Sequence, residues 1–194
     1  MTEKQKPIND FINDLYTTKS ARFCAERRLR HKQLLSHITI SFLSAYIICV
    51  GALPFYNLPV ELNASYLQFA TFALSIFLLV ISLLEIGTNR LKLANSLHEN
   101  GIEINNLYKE AMLCNKDKSK IDQIREKYDK VVSSCTYNHE KIDYYEVKKR
   151  NTHHGFWKRV PYKFYYLIQW VLYYGLYWFL IFFPPAFLFL ILMK

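Results

Sequence analysis

The sequence predicts an all-α membrane protein, and three observations support that prediction. Charged residues are absent from three blocks, residues 33–60, 62–84 and 164–193, and each block is long enough to cross a bilayer as a helix. Five glycines in 194 residues are too few for the turn-rich strands of a membrane β-barrel. About 110 residues remain outside the blocks, in two pieces, which excludes a complete Rossmann domain or a catalytic barrel.

Five segments follow from these blocks and from the charged residues between them. We expect an N-terminal helix continuous with a two-span hairpin, a cytoplasmic antiparallel pair of helices of coiled-coil type, and a third, C-terminal transmembrane helix. In order, the segments are a cytoplasmic amphipathic helix at 1–33, a hairpin at 34–84 with spans at about 34–53 and 63–84, a cytoplasmic helical hairpin at 85–150, a juxtamembrane turn at 151–163 and the last span at 164–194.

The basic residues predict the orientation of this multi-pass protein. Of 25 Lys and Arg residues, eight precede the first block, sixteen lie between the second and third blocks, and one is Lys194. The positive-inside rule therefore places the N-terminus and residues 85–163 in the cytoplasm and the C-terminus outside. In this setting the basic side chains orient the protein and contact anionic membrane lipids, and we expect no direct binding of nucleic acid.

The first predicted helix has apolar residues every three to four positions from residue 8 to residue 29, a spacing typical of an amphipathic helix. No Pro or Gly occurs between Pro7 and Gly51, so we expect this helix to continue into the first span. The residues expected to end it and to begin the second span are Pro54, Pro59 and, as N-cap, Asn63.

The second span is expected to continue into the cytoplasm as a helix. Its weak point is Asn100-Gly101, because a glycine in a helix interior costs about 1 kcal/mol relative to alanine. The polar residues 115–118 then predict a break in the chain. Ser119, followed three residues later by Asp122, resembles the capping box that opens a helix.

The helix that begins there has the most regular pattern in the chain. Its residues occupy alternating a and d positions of unbroken heptads, which is the seam of a coiled coil and requires a partner helix. The partner is either residues 86–113 of the same chain, packed antiparallel, or a neighbouring subunit of a homo-oligomer. The seam, which is also the candidate oligomer or partner surface, consists of Ile121, Ile124, Tyr128, Val131, Cys135, Asn138, Ile142 and Tyr145.

The third block differs from the first two in being aromatic, with 13 aromatic residues in 30. As one helix it would measure about 45 Å, more than the roughly 30 Å of the hydrocarbon core, so Pro184-Pro185 is the expected place for a bend or a stop. The hydroxyl of Tyr177 lies too deep for the membrane interface and is expected to face other helices. The aromatic residues that define the pattern are Tyr162, Tyr165, Tyr166, Trp170, Tyr173, Tyr174, Tyr177, Trp178, Phe182, Phe183, Phe187 and Phe189.

No pattern in the sequence indicates an enzyme. The nucleophile elbow, the P-loop, the dinucleotide-binding motif and the metalloprotease motif are all absent. His139 and Asp143, four apart on the predicted helix, could share a metal, as could His153-His154, but a third ligand at matching spacing is missing. A hydrogen-bonded pair is the preferred interpretation, and we expect no catalytic residues, no bound metal and no cofactor.

Polar side chains within the spans are candidate functional residues, because polar groups are costly in lipid and tend to face a bundle interior or water. One interpretation is helix packing through small and hydroxyl side chains. The other is that these faces line a hydrated path in an oligomer, which without a ring of buried charge would be a weakly selective pore. The candidates are His37, Ser41 and Ser44 on the first span and Gln68, Thr71, Ser75 and Ser82 on the second.

Two short sequences resemble the SLATT family. The first is Leu15–Phe23, followed by Arg27-Arg28-Leu29 just before the membrane hairpin, and the second is Asn138–Tyr144. The resemblance covers roughly residues 10–146, and the aromatic third span departs from the family's two-span pattern. The residues that match the family's motifs are Tyr16, Lys19, Arg22, Arg28, Asn138, His139 and Asp143.

SLATT domains are two-span bacterial membrane effectors found with nucleotidyltransferases, with SLOG proteins and, in one branch, with reverse transcriptases. The resemblance implies an inner-membrane effector of antiphage defence that oligomerises and, when a partner of this kind activates it, forms a pore or perturbs the membrane. Depolarisation and growth arrest, as in abortive infection, would follow. The alternative is a non-conducting scaffold that tethers a cytoplasmic defence enzyme, either a nucleotidyltransferase or a reverse transcriptase.

Overall fold

The computed structural model describes the backbone of residues 6–55, 64–114, 117–151 and 156–192, and every regular element in these ranges is helical. The chain divides into two compact units, unit 1 with residues 1–30 and 90–169 and unit 2 with residues 31–89 and 170–194. The elements are α1 (Lys6–Ala52), a 3-10 turn (Leu53–Phe55), α2 (Ala64–Gly87), α3 (Arg90–Leu113), α4 (Lys118–Ser134), α5 (Lys141–Asn151) and α6 (Phe156–Leu192).

The first helix is a single element of 47 residues, which confirms that the N-terminal amphipathic helix continues into the first span. It ends at Ala52, two residues before Pro54, whose ring cannot continue a helix without losing a backbone hydrogen bond. The residues of α1 up to Arg30 therefore belong to unit 1, and those from His31 to Ala52 belong to unit 2.

The core of unit 1 is formed by α1, α3 and α4. Leu15 and Ile104 are fully buried and Ile121 is 1% exposed, and all three belong to one cluster of apolar side chains. Each such side chain contributes about 1.5–3 kcal/mol when it is removed from water. The apolar stripe that the sequence shows on each helix is therefore the stripe that is buried.

Contacts between side chains show that α3 and α4 pack antiparallel. Lys127 of α4 pairs with Glu110 near the end of α3, at 3.2 Å between Nζ and Oε1. Asn100, earlier in α3, donates from Nδ2 to the carbonyl of Val131, later in α4, at 2.6 Å. The heptad pattern leaves two partners open, residues 86–113 of the same chain or a neighbouring subunit. In the structure α4 packs against α3 of the same chain.

The heptad helix is shorter than its pattern predicts. It begins at Lys118, with Asp117 as the N-cap whose carboxylate accepts the N–H of Ser119 at 3.0 Å, so the capping box expected on Ser119 is wrong. It ends at Ser134, and α5 begins only at Lys141, so the prediction of one unbroken helix is also wrong. In the intervening segment a backbone carbonyl accepts a hydrogen bond from Arg22 of α1 instead.

The break between α2 and α3 lies at Thr88-Asn89 rather than at Asn100-Gly101. Asn89 has a φ of 46°, a left-handed conformation that asparagine tolerates better than most residues. Gly101 lies buried inside α3, where an added Cβ would stand 3.2 Å from Cε1 of Phe23. This glycine therefore allows an aromatic ring of α1 to approach the backbone of α3, and it does not end the helix.

Three helices are long and apolar enough to cross a membrane, at Ile8–Phe55, Ser65–Leu113 and Leu167–Ala186, the first two with polar extensions. In their most apolar windows only 6–11% of the residues are buried within the chain. Large apolar side chains such as Phe72 and Leu84 are 65% and 67% exposed. A soluble monomer rarely exposes so much apolar surface, so the chain is an all-α membrane protein, as the sequence predicts.

The last helix does not stop at Pro184-Pro185. With 37 residues it is about 55 Å long, more than the roughly 30 Å of a hydrocarbon core. Pro185 has no N–H to donate to the carbonyl of Ile181, four residues earlier. The hydroxyl of Tyr46 on α1 donates to that carbonyl instead, at 2.8 Å.

Several predicted features lie outside the described residues. They are Pro59 and Asn63 in the connection between the first two spans, Asn115-Lys116, His153-His154 and the side chains of Tyr162, Tyr165, Tyr166, Phe187 and Phe189.

Candidate functional site: the motif contact

Two sequence motifs that lie 115 positions apart meet within unit 1. Arg28 of α1 donates from Nε to Oδ1 of Asp143 at 3.0 Å and from Nη2 to Oδ2 at 3.1 Å. Its Nη1 also lies 3.0 Å from Oε1 of Glu140. Two parallel bonds between a guanidinium and a carboxylate are the strongest form of this ion pair. We call the contact of α1 with residues 135–143 the motif contact.

Asp143 is the most deeply buried ionisable residue of the motif contact, at 1% exposure. Its Oδ2 also accepts the N–H of Glu140 at 2.9 Å, which caps the first turn of α5. Burial raises the pKa of the Asp143 carboxyl, and the hydrogen bonds and charge of Arg28 oppose that rise. Because a carboxylate at this depth needs its cation, the ion pair holds the start of α5 against α1.

Arg22 holds the non-helical segment between α4 and α5. It is 2% exposed and donates from Nη1 to the carbonyl of Tyr137 and, at 3.6 Å, to Sγ of Cys135. Within the described part of the chain its Nε has no hydrogen-bond partner. The pKa of the His139 imidazole is lowered by burial and by the positive charge of Arg22, and Asp143 opposes this effect. The segment thus closes over a buried cation.

Lys19 and Tyr16 join the same motif to α3. Nζ of Lys19 lies 3.8 Å from the ring centroid of Tyr108 and 5.3 Å from that of Tyr16, and it donates to Oδ1 of Asn105 at 2.9 Å. Burial, and the charge of Lys109, lower the pKa of the Lys19 ammonium. A cation over an aromatic face contributes about 0.5–1 kcal/mol at such half-exposed sites. The motif on α1 therefore contacts α3 through one set of residues and α5 through another.

The second motif differs from its predicted form. His139 precedes α5, so it does not share a helix face with Asp143, and that expectation is wrong. Asn138 is exposed, and its Oδ1 accepts the N–H of His139 at 2.9 Å, which fixes the turn locally. Among the described residues no group of three or more His, Cys, Asp or Glu side chains could hold a metal ion.

The residues of the predicted seam are divided among three segments. Ile121 and Ile124 of α4 are each 1% exposed in the core of unit 1. The hydroxyl of Tyr128 lies 2.9 Å from Oγ1 of Thr18 on α1. The remaining members are Val131, half-buried on α4, Cys135 and Asn138 between the helices, and Ile142, buried, and Tyr145, half-buried, on α5.

The hydroxyls on the candidate polar faces of the spans are bonded within their own helices. Each donates to the carbonyl four residues earlier, at 2.6–2.9 Å, so none depends on another helix or on water for that bond. Nε2 of His37 lies 2.7 Å from Nε2 of Gln33. His37, Ser41, Gln68 and Ser75 are exposed, and Ser44, Thr71 and Ser82 are half-buried.

A different polar stripe of α1 is buried in unit 2. Ser36 is 1% and Thr39 is 3% exposed, and Leu43 continues the same face. Thr39 donates to the carbonyl of Leu35 at 2.8 Å. Sequence reasoning missed these residues, although their spacing of three and four positions is a helical signal that could have identified them.

Comparison with known proteins gives one match. The model of SMODS and SLOG-associating 2TM effector domain family 5 matches residues 4–191, a range that includes both motifs and extends through most of α6. No curated protein sequence and no solved structure matches the chain. Because the matched range is almost the whole sequence and the motifs meet at one contact, this chain belongs to SLATT family 5, the fifth family of SMODS and SLOG-associating 2TM effector domains.

Proposed function

We propose that this protein is the membrane effector of a bacterial antiphage defence system, that it oligomerises in the inner membrane, and that it opens a leak when a cytoplasmic partner releases the motif contact. Membership of a family of membrane effector domains supports the first part. The observation that carries the rest is the continuity of α1: one helix without a break includes Arg22, Arg28 and the first membrane-crossing stretch.

The motif contact suits a switch because a buried ion pair is stable only when it is fully made or fully broken. With the ion pair of Arg28 and Asp143 made, residues 135–143 lie on α1; with the pair broken, both charges require water or a new partner. An intermediate position would leave the charges buried and unpaired, which is the costliest arrangement. A partner that binds the released form more tightly than the paired form therefore shifts the equilibrium toward release. The size of the shift is the difference between its binding free energies for the two forms.

The polar faces of the spans suit a closed state in lipid and an open state in water. Their hydroxyls already donate to carbonyls of the same helix, so little is lost while they face lipid or a neighbouring chain. When copies of the chain assemble around a hydrated path, the same hydroxyls can bond to water. Hydroxyls and one amide, without a ring of charge, would make such a path weakly selective.

The test measures membrane potential in cells that express the protein with its genomic partner, before and after phage infection. We expect depolarisation with the native chain and none with Ser75→Leu or Thr71→Leu, because leucine removes the polar group from the face. Ala73→Leu is the matched control: it places the same leucine side chain on the opposite side of α2 and should leave depolarisation intact. Growth arrest with an unchanged potential would contradict the leak and favour a non-conducting scaffold.

A further inference from the structure

An apolar groove lies in unit 2 between α1 and α6, with a volume of about 400 Å³. Almost all of its lining is apolar, and the groove is partly open to its surroundings. Its walls include Leu35, Ile38 and Phe42 from α1 and Trp178, Ile181 and Phe182 from α6.

Contacts near both ends of this groove join the two helices. Beyond one end, Nζ of Lys32 lies 5.0 Å from the ring centroid of Tyr173. At the other end, the hydroxyl of Tyr46 donates to the carbonyl of Ile181 at 2.8 Å. The groove therefore lies between two helices that contact each other near both of its ends, and the Lys32 ammonium lies beyond one of them.

The rings that form the walls remain partly uncovered by the chain itself. Phe42 is 45%, Trp178 is 40% and Phe182 is 62% exposed. When an apolar occupant covers apolar side chains of this size, several tens of Å² of their surface are removed from water. Each Å² of apolar surface removed from water contributes about 25 cal/mol of favourable free energy. Whatever occupies the groove must therefore be apolar along its length.

The groove is short enough to lie within one leaflet of a bilayer. Its lining rises about 16 Å along α1, from Leu35 to Tyr46, and about 10 Å along α6, from Trp178 to Pro185, and half of a hydrocarbon core is about 15 Å. Lys32 lies about one turn beyond the apolar part, at the depth where a headgroup phosphate would be. An acyl chain has the required shape, and a positive charge at the headgroup end favours an anionic lipid over a zwitterionic one.

We propose that this groove is a binding site for an anionic phospholipid, with one acyl chain between α1 and α6 and the headgroup phosphate paired with Lys32. This site is separate from the motif contact and does not depend on whether the protein conducts ions. A row of apolar side chains from a second copy of the chain is the competing occupant.

The experiment uses tryptophan fluorescence of the full chain in nanodiscs of phosphatidylcholine. The chain has three tryptophans, and Trp157→Phe with Trp170→Phe leaves Trp178, in the wall of the groove, as the only one. Phosphatidylglycerol with brominated acyl chains is added at a low mole fraction, and brominated phosphatidylcholine is added in a parallel series. We expect phosphatidylglycerol to quench Trp178 at a much lower mole fraction.

Three further variants separate the groove from general lipid contact. Lys32→Gln should reduce the preference for phosphatidylglycerol about fivefold, which corresponds to the roughly 1 kcal/mol that one lysine contributes near an anionic membrane surface. Lys92→Gln, an exposed lysine of α3 that does not line the groove, should leave the preference unchanged. Ile38→Phe, which fills the groove, should lower the quenching by phosphatidylglycerol. Equal quenching by both lipids, a preference that survives Lys32→Gln, or no quenching by either lipid because a second copy covers the groove would each overturn the proposal.

Discussion

Replacement of Asp143 by asparagine should release α5 from α1 while the rest of unit 1 stays folded. Asparagine keeps the size of the side chain and one oxygen that can accept the N–H of Glu140, but it removes the charge and replaces the other oxygen, which accepts from Arg28, by an NH2 group that cannot accept. Removal of one partner from a buried ion pair costs about 3–5 kcal/mol. Because Arg28 keeps its exposed contact with Glu140 at 3.0 Å, we expect the lower limit, about 3 kcal/mol.

Hydrogen–deuterium exchange followed by mass spectrometry measures this release directly in the solubilised protein. A loss of about 3 kcal/mol corresponds to roughly 100-fold faster exchange in peptides from residues 135–148. Peptides from the part of α3 around Ile104 and Leu107, which packs with α1 and α4 in a separate apolar cluster, should exchange at the native rate.

The matched control for this experiment is Glu140→Gln. The Glu140 side chain is 49% exposed, and exposed ion pairs contribute about 0–1 kcal/mol, so the control should accelerate exchange less than about fivefold. If Asp143→Asn accelerates exchange no more than Glu140→Gln does, the buried ion pair does not hold the motif contact.

Three other predictions test separate features of the fold. Because the folded protein lowers the pKa of His139 from 6.5, the motif contact should lose stability as the pH falls below that value. Protection factors in residues 135–141, which correct exchange for its intrinsic pH dependence, should therefore fall with pH in the native chain and less in His139→Gln; equal decreases in both would contradict the prediction. Gly101→Ala places a Cβ 3.2 Å from the ring of Phe23, and the roughly 1–3 kcal/mol cost of overpacking should exceed the about 1 kcal/mol that alanine gains in a helix interior, so the melting temperature should fall. The double variant with Phe23→Leu, which removes the close contact, should recover part of the loss, and a stabilised single variant would contradict the packing. Tyr46→Phe leaves the carbonyl of Ile181 without the hydroxyl that donates to it. The free energy of unfolding, measured by denaturation in detergent, should therefore fall by about 1–3 kcal/mol. An unchanged free energy of unfolding would show that this bond contributes nothing.

The features that sequence alone could predict are those that depend on neighbours along the chain. The absence of Pro and Gly between Pro7 and Gly51 predicts the full length of α1, and the blocks without charge predict the three apolar helices. Apolar spacing also identifies Ile121 and Ile124 as buried. Each of these inferences uses residues within one helix, where the spacing of side chains is fixed by the helix itself.

The motif contact could be predicted only in part, because its energy comes from residues distant in sequence. The family motifs mark the correct residues, but nothing local shows that Arg28 and Asp143 form a pair. The heptad pattern is continuous across residues 135–140, and it fails there because Arg22 binds the carbonyl of Tyr137. A hydrogen bond from a charged guanidinium to a backbone carbonyl contributes more free energy than the bond from a neutral backbone N–H that another turn of helix would supply.

The same reasoning explains why α6 continues through Pro184-Pro185 although the proline rule predicts a bend or a stop. The rule rests on a missing N–H, and a carbonyl left without a donor in hydrocarbon costs several kcal/mol. Ile181 is only 6% exposed, so water has little access to its carbonyl, and Tyr46 supplies the bond that Pro185 cannot make. In unit 1, Arg22 of α1 donates to a backbone carbonyl in the segment where α4 has ended. In unit 2, Tyr46 of α1 donates to a backbone carbonyl within α6, which continues. The local rules are correct about which groups lose their partners, and the tertiary contacts of α1 decide whether the helix then stops or continues.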